Sequence, residues 1–270
     1  MFIKFILNKP YKHIIRGELM MKKIIYKRWF KILLVLIMFC PLITQQKYNS
    51  QYTTDVIGSV LQHPFINNIG VGLIIAKMIL LGICLLPLFV KEKYCKYILV
   101  YYAIILLFVG LFQNMSYTEY GFTFIIGNMI VQYIIAICCF IDIIKGKSRI
   151  SKEDLNKKAL WIIPLMALAF LMPYTINNNT IVPSISTILT NEAGVTYCMI
   201  TPVIIGMLIL FSKNINKETL NVISFVGLSF GIFNMMTWFV FNIENWWMGI
   251  LHLPLLIISI YGLRISKIKK

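Results

Sequence analysis

Eight apolar stretches recur along the chain, at roughly 29–45, 69–90, 97–113, 121–144, 159–175, 195–212, 220–241 and 247–263, with short polar gaps between them. Each runs for about 16–24 residues, enough for a helix rising 1.5 Å per residue to cross a hydrocarbon core of roughly 30 Å. Lipid cannot satisfy free backbone N–H and C=O groups, so apolar runs of this length are expected to be helices. The pattern predicts an all-α, polytopic membrane protein with eight transmembrane helices.

The charges orient those helices. Of the 26 Lys and Arg residues, 24 fall in alternate gaps: nine in 1–31, three in 91–96, six in 145–158, two in 213–217 and four in 264–270. The other gaps hold Lys47 together with Asp55, Glu119, Glu192 and Glu244. Cytoplasmic loops retain Lys and Arg, so both termini are expected in the cytoplasm. Adjacent basic loops would meet anionic lipid head groups. The expected location is the plasma membrane of a bacterial or archaeal cell, crossed many times.

Composition agrees with this reading. Apolar residues make up 59% of the 270, charged residues 13%, and the net charge is +16; mean hydropathy is +0.80. Such a charge elsewhere would suggest nucleic acid, but here it sits in short loops beside spans, and no nucleic-acid partner is expected. The six cysteines lie in apolar stretches or at position 95, so no external disulfide framework is implied. Residues 1–28 read as a basic tail. Within it, Arg16 to Met21 can be encoded by a purine-rich stretch resembling a bacterial ribosome-binding site, so 1–19 are expected to precede the true start at Met20 or Met21. The apolar segment that follows has no small-x-small cleavage site and is expected to remain as the first span.

The chain also repeats itself weakly. Trp29 and Pro41 recur as Trp161 and Pro173, Asn67-x-x-Gly70 as Asn191-x-x-Gly194, Gly82 as Gly206, and Gly110 as Gly231. The organisation expected is two halves, 29–145 and 159–270, joined by a cytoplasmic linker at 146–158. With an even number of spans in each half, the repeats would be parallel, related by an axis along the membrane normal. Asn-x-x-Gly suits a helix N-cap with tight entry into the next span. The paired glycines suit close helix approach.

Polar residues inside a membrane are expensive and usually face protein or water. They gather in the outer halves of the spans: Lys77, Gln132, Asn234, Thr237 and His252, with Gln113, Asn128 and Thr201 nearby. Pro41, Pro173, Pro202 and Pro254 fall at the same depth, and each would free a carbonyl one turn earlier. A polar cavity open to the outside is expected, with Lys77 facing the bundle beside Gln132, Asn234 or His252. The plainer alternatives are a Lys77 that snorkels to the head groups, a His252 that only packs, and amides that bind helices together. The five tryptophans fit an interfacial belt. Asp142, near the cytoplasmic exit, is placed to pair with Lys145.

Signs of catalysis are few. Gly227-Leu228-Ser229-Phe230-Gly231 has the form G-x-S-x-G, but a nucleophile elbow needs a strand-to-helix turn and this segment reads as helix. No metal-ligand spacing or phosphate-binding loop is present in the sequence, and no cofactor is expected. Acidic residues are missing at mid-depth, which argues against cation coupling. The function expected is a small-molecule transporter or channel rather than an enzyme. The alternative is a membrane protein that does not transport: a sensor, an immunity protein or an assembly partner.

Overall fold

The computed structural model describes residues 24–89, 96–149, 152–177 and 180–267. The expectations for residues 1–19 and for the basic residues at 91 and 93 lie outside the described residues. Among the described residues the chain is mostly helical, with nine α-helices: α1 (Arg28–Met38), α2 (Thr53–Gln62), α3 (Val71–Phe89), α4 (Lys96–Phe112), α5 (Ile126–Lys145), α6 (Ile163–Leu171), α7 (Tyr197–Leu210), α8 (Lys217–Met236) and α9 (Trp246–Ser266). Four segments are long and apolar enough to cross a membrane: Val71–Phe89, Ile126–Lys145, Lys217–Phe241 and Ile243–Ser266. The helices α4 and α7 are apolar but shorter.

The first and fifth apolar stretches depart from the expected full-length helices. Helix α1 stops after 11 residues and α6 after 9, about 17 and 14 Å at the helical rise. Prolines account for both stops. Pro41 and Pro173 were expected inside spans but lie beyond the last helical residues Met38 and Leu171, where proline blocks continuation and disfavours helix in the residue before it. Pro202 and Pro254 do lie inside α7 and α9. Ahead of α6 a 3₁₀ turn covers Lys157–Ile162.

The all-α expectation also misses two small sheets. Strands β1 (Ile43–Thr44), β2 (Met115–Thr118) and β3 (Gly121–Phe124) form an antiparallel sheet in the order β1-β3-β2. The hairpin of β4 (Tyr174–Asn177) and β5 (Thr180–Pro183) pairs Thr175 with Val182. Both sheets lie in or beside the gaps that are poor in Lys and Arg. Helix α2 joins them there, and the Ser116 hydroxyl donates to the His63 carbonyl just beyond its end.

The second half packs most tightly. Helices α8 and α9 run antiparallel along a seam of small residues. A Cβ on Gly227 would lie 2.5 Å from Ser259 Oγ, one on Gly231 3.0 Å from the Leu256 backbone, and one on Gly262 would collide with Ser224 Oγ. The Asn221 amide donates to Ser266 Oγ at the end of this seam, 2.8 Å away. Helix α7 lies beside the pair and is buried at every position except Cys198. In the first half, α4 and α5 pair through Tyr133, whose hydroxyl donates to Leu107 O and whose ring crowds Gly110. Helix α1 packs on α5 and α8, and α3 sits outermost. Of the glycines expected to permit close approach, Gly110, Gly206 and Gly231 do so. Gly82 does not, since a Cβ there would meet nothing within 4 Å among the described residues.

The basic end of the bundle is tied together by polar contacts. The Tyr26 hydroxyl donates to Ser266 O at 3.1 Å, so the first and last described segments meet there. In the 146–158 linker a 3₁₀ turn covers Lys152–Asp154, and a second begins at Lys157. The linker is fastened to the α7–α8 connection by Lys213–Asp154 at 3.2 Å and Asn156 N to Leu210 O at 2.7 Å. Gly146 closes α5 in the left-handed conformation, φ 60°, where glycine carries no Cβ penalty. That turn brings Ser148 back to Asp142, whose carboxylate accepts from the Ser148 N–H and hydroxyl. Asp142 is thus bound by Ser148, and not by Lys145 as expected.

Candidate functional site

At the end opposite the basic loops, the chain encloses a cavity of about 540 Å³. Its walls come from α2, the β4–β5 hairpin, the Glu192 turn, and the adjoining ends of α7, α8 and α9. A small apolar cluster of Met172, Tyr174, Ala193, Met199 and Met248 backs one side of it. Of the five expected site residues, Asn234, Thr237 and His252 line this cavity together. Lys77 and Gln132 do not.

The local chain path explains each position. Helix α8 ends in a single π-helical turn over Thr237–Phe241. Such turns shift the side chains that follow relative to the helix before them, and here Trp238 lines the cavity. The Thr237 hydroxyl donates back to Phe233 O at 3.0 Å, while the Asn234 amide donates to Cys198 Sγ at 3.2 Å, tying α8 to α7. His252 is 7% exposed, and its Nδ1 lies 2.8 Å from Met248 O. That contact places the ring hydrogen on Nδ1 and leaves the Nε2 lone pair free. Trp238 stacks obliquely on this imidazole, with centroids 5.9 Å apart.

Gln113 is the second deeply buried polar group of the cavity, 7% exposed. Its Oε1 accepts from Tyr197 N at 2.9 Å, which fixes the amide orientation. Glu192 contributes a carboxylate, held by a hydrogen bond from the Tyr174 hydroxyl. Asp55, in the first turn of α2, adds a second acid to the lining. The cavity therefore has acceptors in its lining at Glu192, Asp55 and His252, an amide at Gln113, and an indole at Trp238.

Lys77 does face the bundle, but its company differs from that expected. Its Nζ donates to Asn191 Oδ1 at 2.7 Å, to Leu171 O at 3.3 Å and to Ile188 O, and lies 5.1 Å from the Phe170 ring centroid. All three ammonium hydrogens are used. The Asn191 amide donates to Leu171 O and Met172 O, at 2.9 and 2.8 Å. Pro173 cuts α6 short, and Lys77 with Asn191 satisfies carbonyls left open at its end. Asn191 is also the N-cap expected from Asn-x-x-Gly, accepting from Ala193 N at 3.1 Å. Asn67 makes no such cap, and its Oδ1 has no partner among the described residues. Gln132 lies between α4 and α5 beside Gly110, its Oε1 likewise without a partner among the described residues.

Sequence reasoning missed three members of the cavity. Glu192 and Asp55 sit in gaps, outside the spans where polar residues draw notice. Trp238 looked like one more interfacial tryptophan. Ser229, of the G-x-S-x-G segment, donates to Phe225 O at 3.1 Å within an unbroken helix, not at a strand-to-helix turn. Compared with protein-family models, curated proteins and solved structures, the chain matches none of them.

Proposed function

We propose that the chain is an integral membrane protein that takes a small molecule from the outer side into this cavity, as a transporter or channel. The proposal includes eight membrane crossings, both termini in the cytoplasm, a bacterial or archaeal plasma membrane, and basic loops resting on anionic lipid heads. The observation that carries it is the cavity itself, lined by Gln113, Asn234, Thr237, Trp238 and His252. In that lining Trp238 Nε1 and Asn67 Oδ1 are buried without a partner among the described residues; such groups are costly, and a ligand that pairs with them recovers that loss. The volume lies within the range of small-molecule sites.

A second reading, binding without translocation as in a sensor, immunity protein or assembly partner, is favoured by the seam below. There Ser224 and Ser259 are fully buried against Gly262 and Gly227, so the path inward is closed. Cysteine accessibility separates the two. In a variant without native cysteines, Asn234→Cys should react with an impermeant maleimide from outside. A transporter should also expose Ser224→Cys to cytoplasmic reagent during turnover, whereas a seam that never reacts in active cells would sink translocation. Reporters fused after residues 147 and 215 should behave as cytoplasmic and those near 52, 118, 185 and 244 as external. A cytoplasmic signal at 185 would overturn the eight-crossing topology.

A further inference from the structure

We infer that the cavity is selective for an organic cation, an amine or quaternary ammonium compound carrying an apolar or aromatic body. The inference rests on the small-molecule reading above and adds the class of ligand. Its first ground is charge. Asp55 and Glu192 are the acidic members of the lining, and no Lys or Arg lines the cavity among the described residues. An anion would meet two carboxylates and no lysine or arginine in the wall.

The second ground is independent of the acids and lies in the deeply buried groups. His252 presents a lone pair at Nε2, since Nδ1 is held at Met248 O. Trp238 lies against the same imidazole and lines the cavity, with its Nε1 buried and without a partner among the described residues. An indole face attracts cations through its quadrupole, most strongly where water is excluded. Gln113 adds a donor for an oxygen acceptor on the ligand. The complement of this set is a positively charged head, an apolar body and at most one polar acceptor.

Lys77 is not part of the lining. Its ammonium, whose charge is felt at Glu192, is held by Leu171, Ile188 and Asn191 and has no N–H left for a ligand. The Tyr174 hydroxyl takes one oxygen of Glu192 and leaves the other available. That fixed carboxylate comes from a loop, so the lack of acids at mid-depth in the spans does not bear on ligand charge.

The test is equilibrium dialysis of the full chain in nanodiscs against empty nanodiscs, which removes partitioning into lipid. Three probes of similar size are compared: benzyltrimethylammonium, benzyl alcohol and phenylacetate. Benzyltrimethylammonium should bind saturably and at least about tenfold more tightly than the others, a tenfold change being 1.4 kcal/mol. Glu192→Gln, which keeps the shape and the Tyr174 contact, should weaken it about tenfold, the scale of one charge pair in a partly buried site. Trp238→Phe should retain most of the binding and Trp238→Leu should lose it. Saturable binding led by phenylacetate or benzyl alcohol, or left unchanged by Glu192→Gln, overturns the cation assignment while the cavity remains a binding site. No saturable binding by any of the three overturns both.

Discussion

Helices α3 and α7 are both almost wholly apolar, hold corresponding places in the expected repeat, and meet opposite surroundings. Helix α7 is enclosed by protein along its length, with Cys198 its one half-buried residue. Helix α3 buries only Lys77, Leu80 and Pro87 and turns Val71, Ile75, Met78 and Phe89 outward. In water, hydrophobicity decides which residues go inside. In lipid it cannot, because tails are as apolar as the core, and small or polar residues select the protein-facing side instead. Helix α7 carries Thr201 and Gly206, each in contact with a neighbour; α3 packs Leu80 into the core and is gripped through Lys77 and the backbone that passes over it.

That hold on α3 is where the comparison breaks most easily. The 192–194 turn crosses α3 so closely that a Cβ on Gly194 would stand 2.5 Å from Lys77 N and 2.8 Å from its Cα. Backbone cannot swing aside as a side chain can. Gly194→Val is therefore expected to destabilise by about 3 kcal/mol or more, measured as loss of folded protein in detergent. Wild-type stability would mean that the turn does not lie on α3.

Two substitutions come next. Gly206 faces Met166 so closely that a Cβ would collide with the thioether Sδ, so Gly206→Leu should lose about 1–3 kcal/mol as overpacking. Methionine can bend away, which keeps this below the Gly194 effect. Lys77→Met strips Ile188 O of its ammonium partner and leaves Leu171 O to Asn191 alone, at about 1–3 kcal/mol for the buried group left unsatisfied. Equilibrium unfolding of the variant would show it. An unchanged or raised stability would fit a lysine facing lipid and contradict the network.

What the sequence could disclose follows from the reach of each signal. Apolar length and the placement of Lys and Arg are local and additive, so the helices long enough to cross a membrane stood out. The short sheets did not, because β1 finds β3 only through a pairing of Ile43 with Phe124 across most of the first half. Asn234, Thr237 and His252 were legible as costly polar residues at one depth. Lys77 was legible as inward-facing, but its partners at Leu171 and Ile188 are backbone carbonyls, which every residue has and none advertises. Gly82 and Gly206 look alike as letters and differ only in what packs on them.

The contact between halves gives a subtler test. Tyr102 of α4 and Thr201 of α7 join hydroxyls 2.9 Å apart with both residues fully buried. Tyr102→Phe and Thr201→Val should each destabilise by about 1 kcal/mol, and the double variant by less than their sum. Strict additivity would mean the hydroxyls do not interact. Coupling would make α7, the enclosed helix, one of the links between the halves.

The smallest expected effect is the most direct challenge to the comparison. Gly82 of α3 has open space where a Cβ would stand, and its counterpart Gly206 has none. Gly82→Leu adds an apolar side chain on the outward side of α3, where in a membrane lipid would take the place of a protein neighbour. It also removes a residue of low helix propensity from a helix interior. The two changes oppose destabilisation, so stability should stay within about 0.5 kcal/mol of the parent, in contrast to Gly206→Leu. Equal losses at the two positions would mean that α3 is covered in the membrane by something other than lipid, and crosslinking from Gly82→Cys would then identify the partner surface.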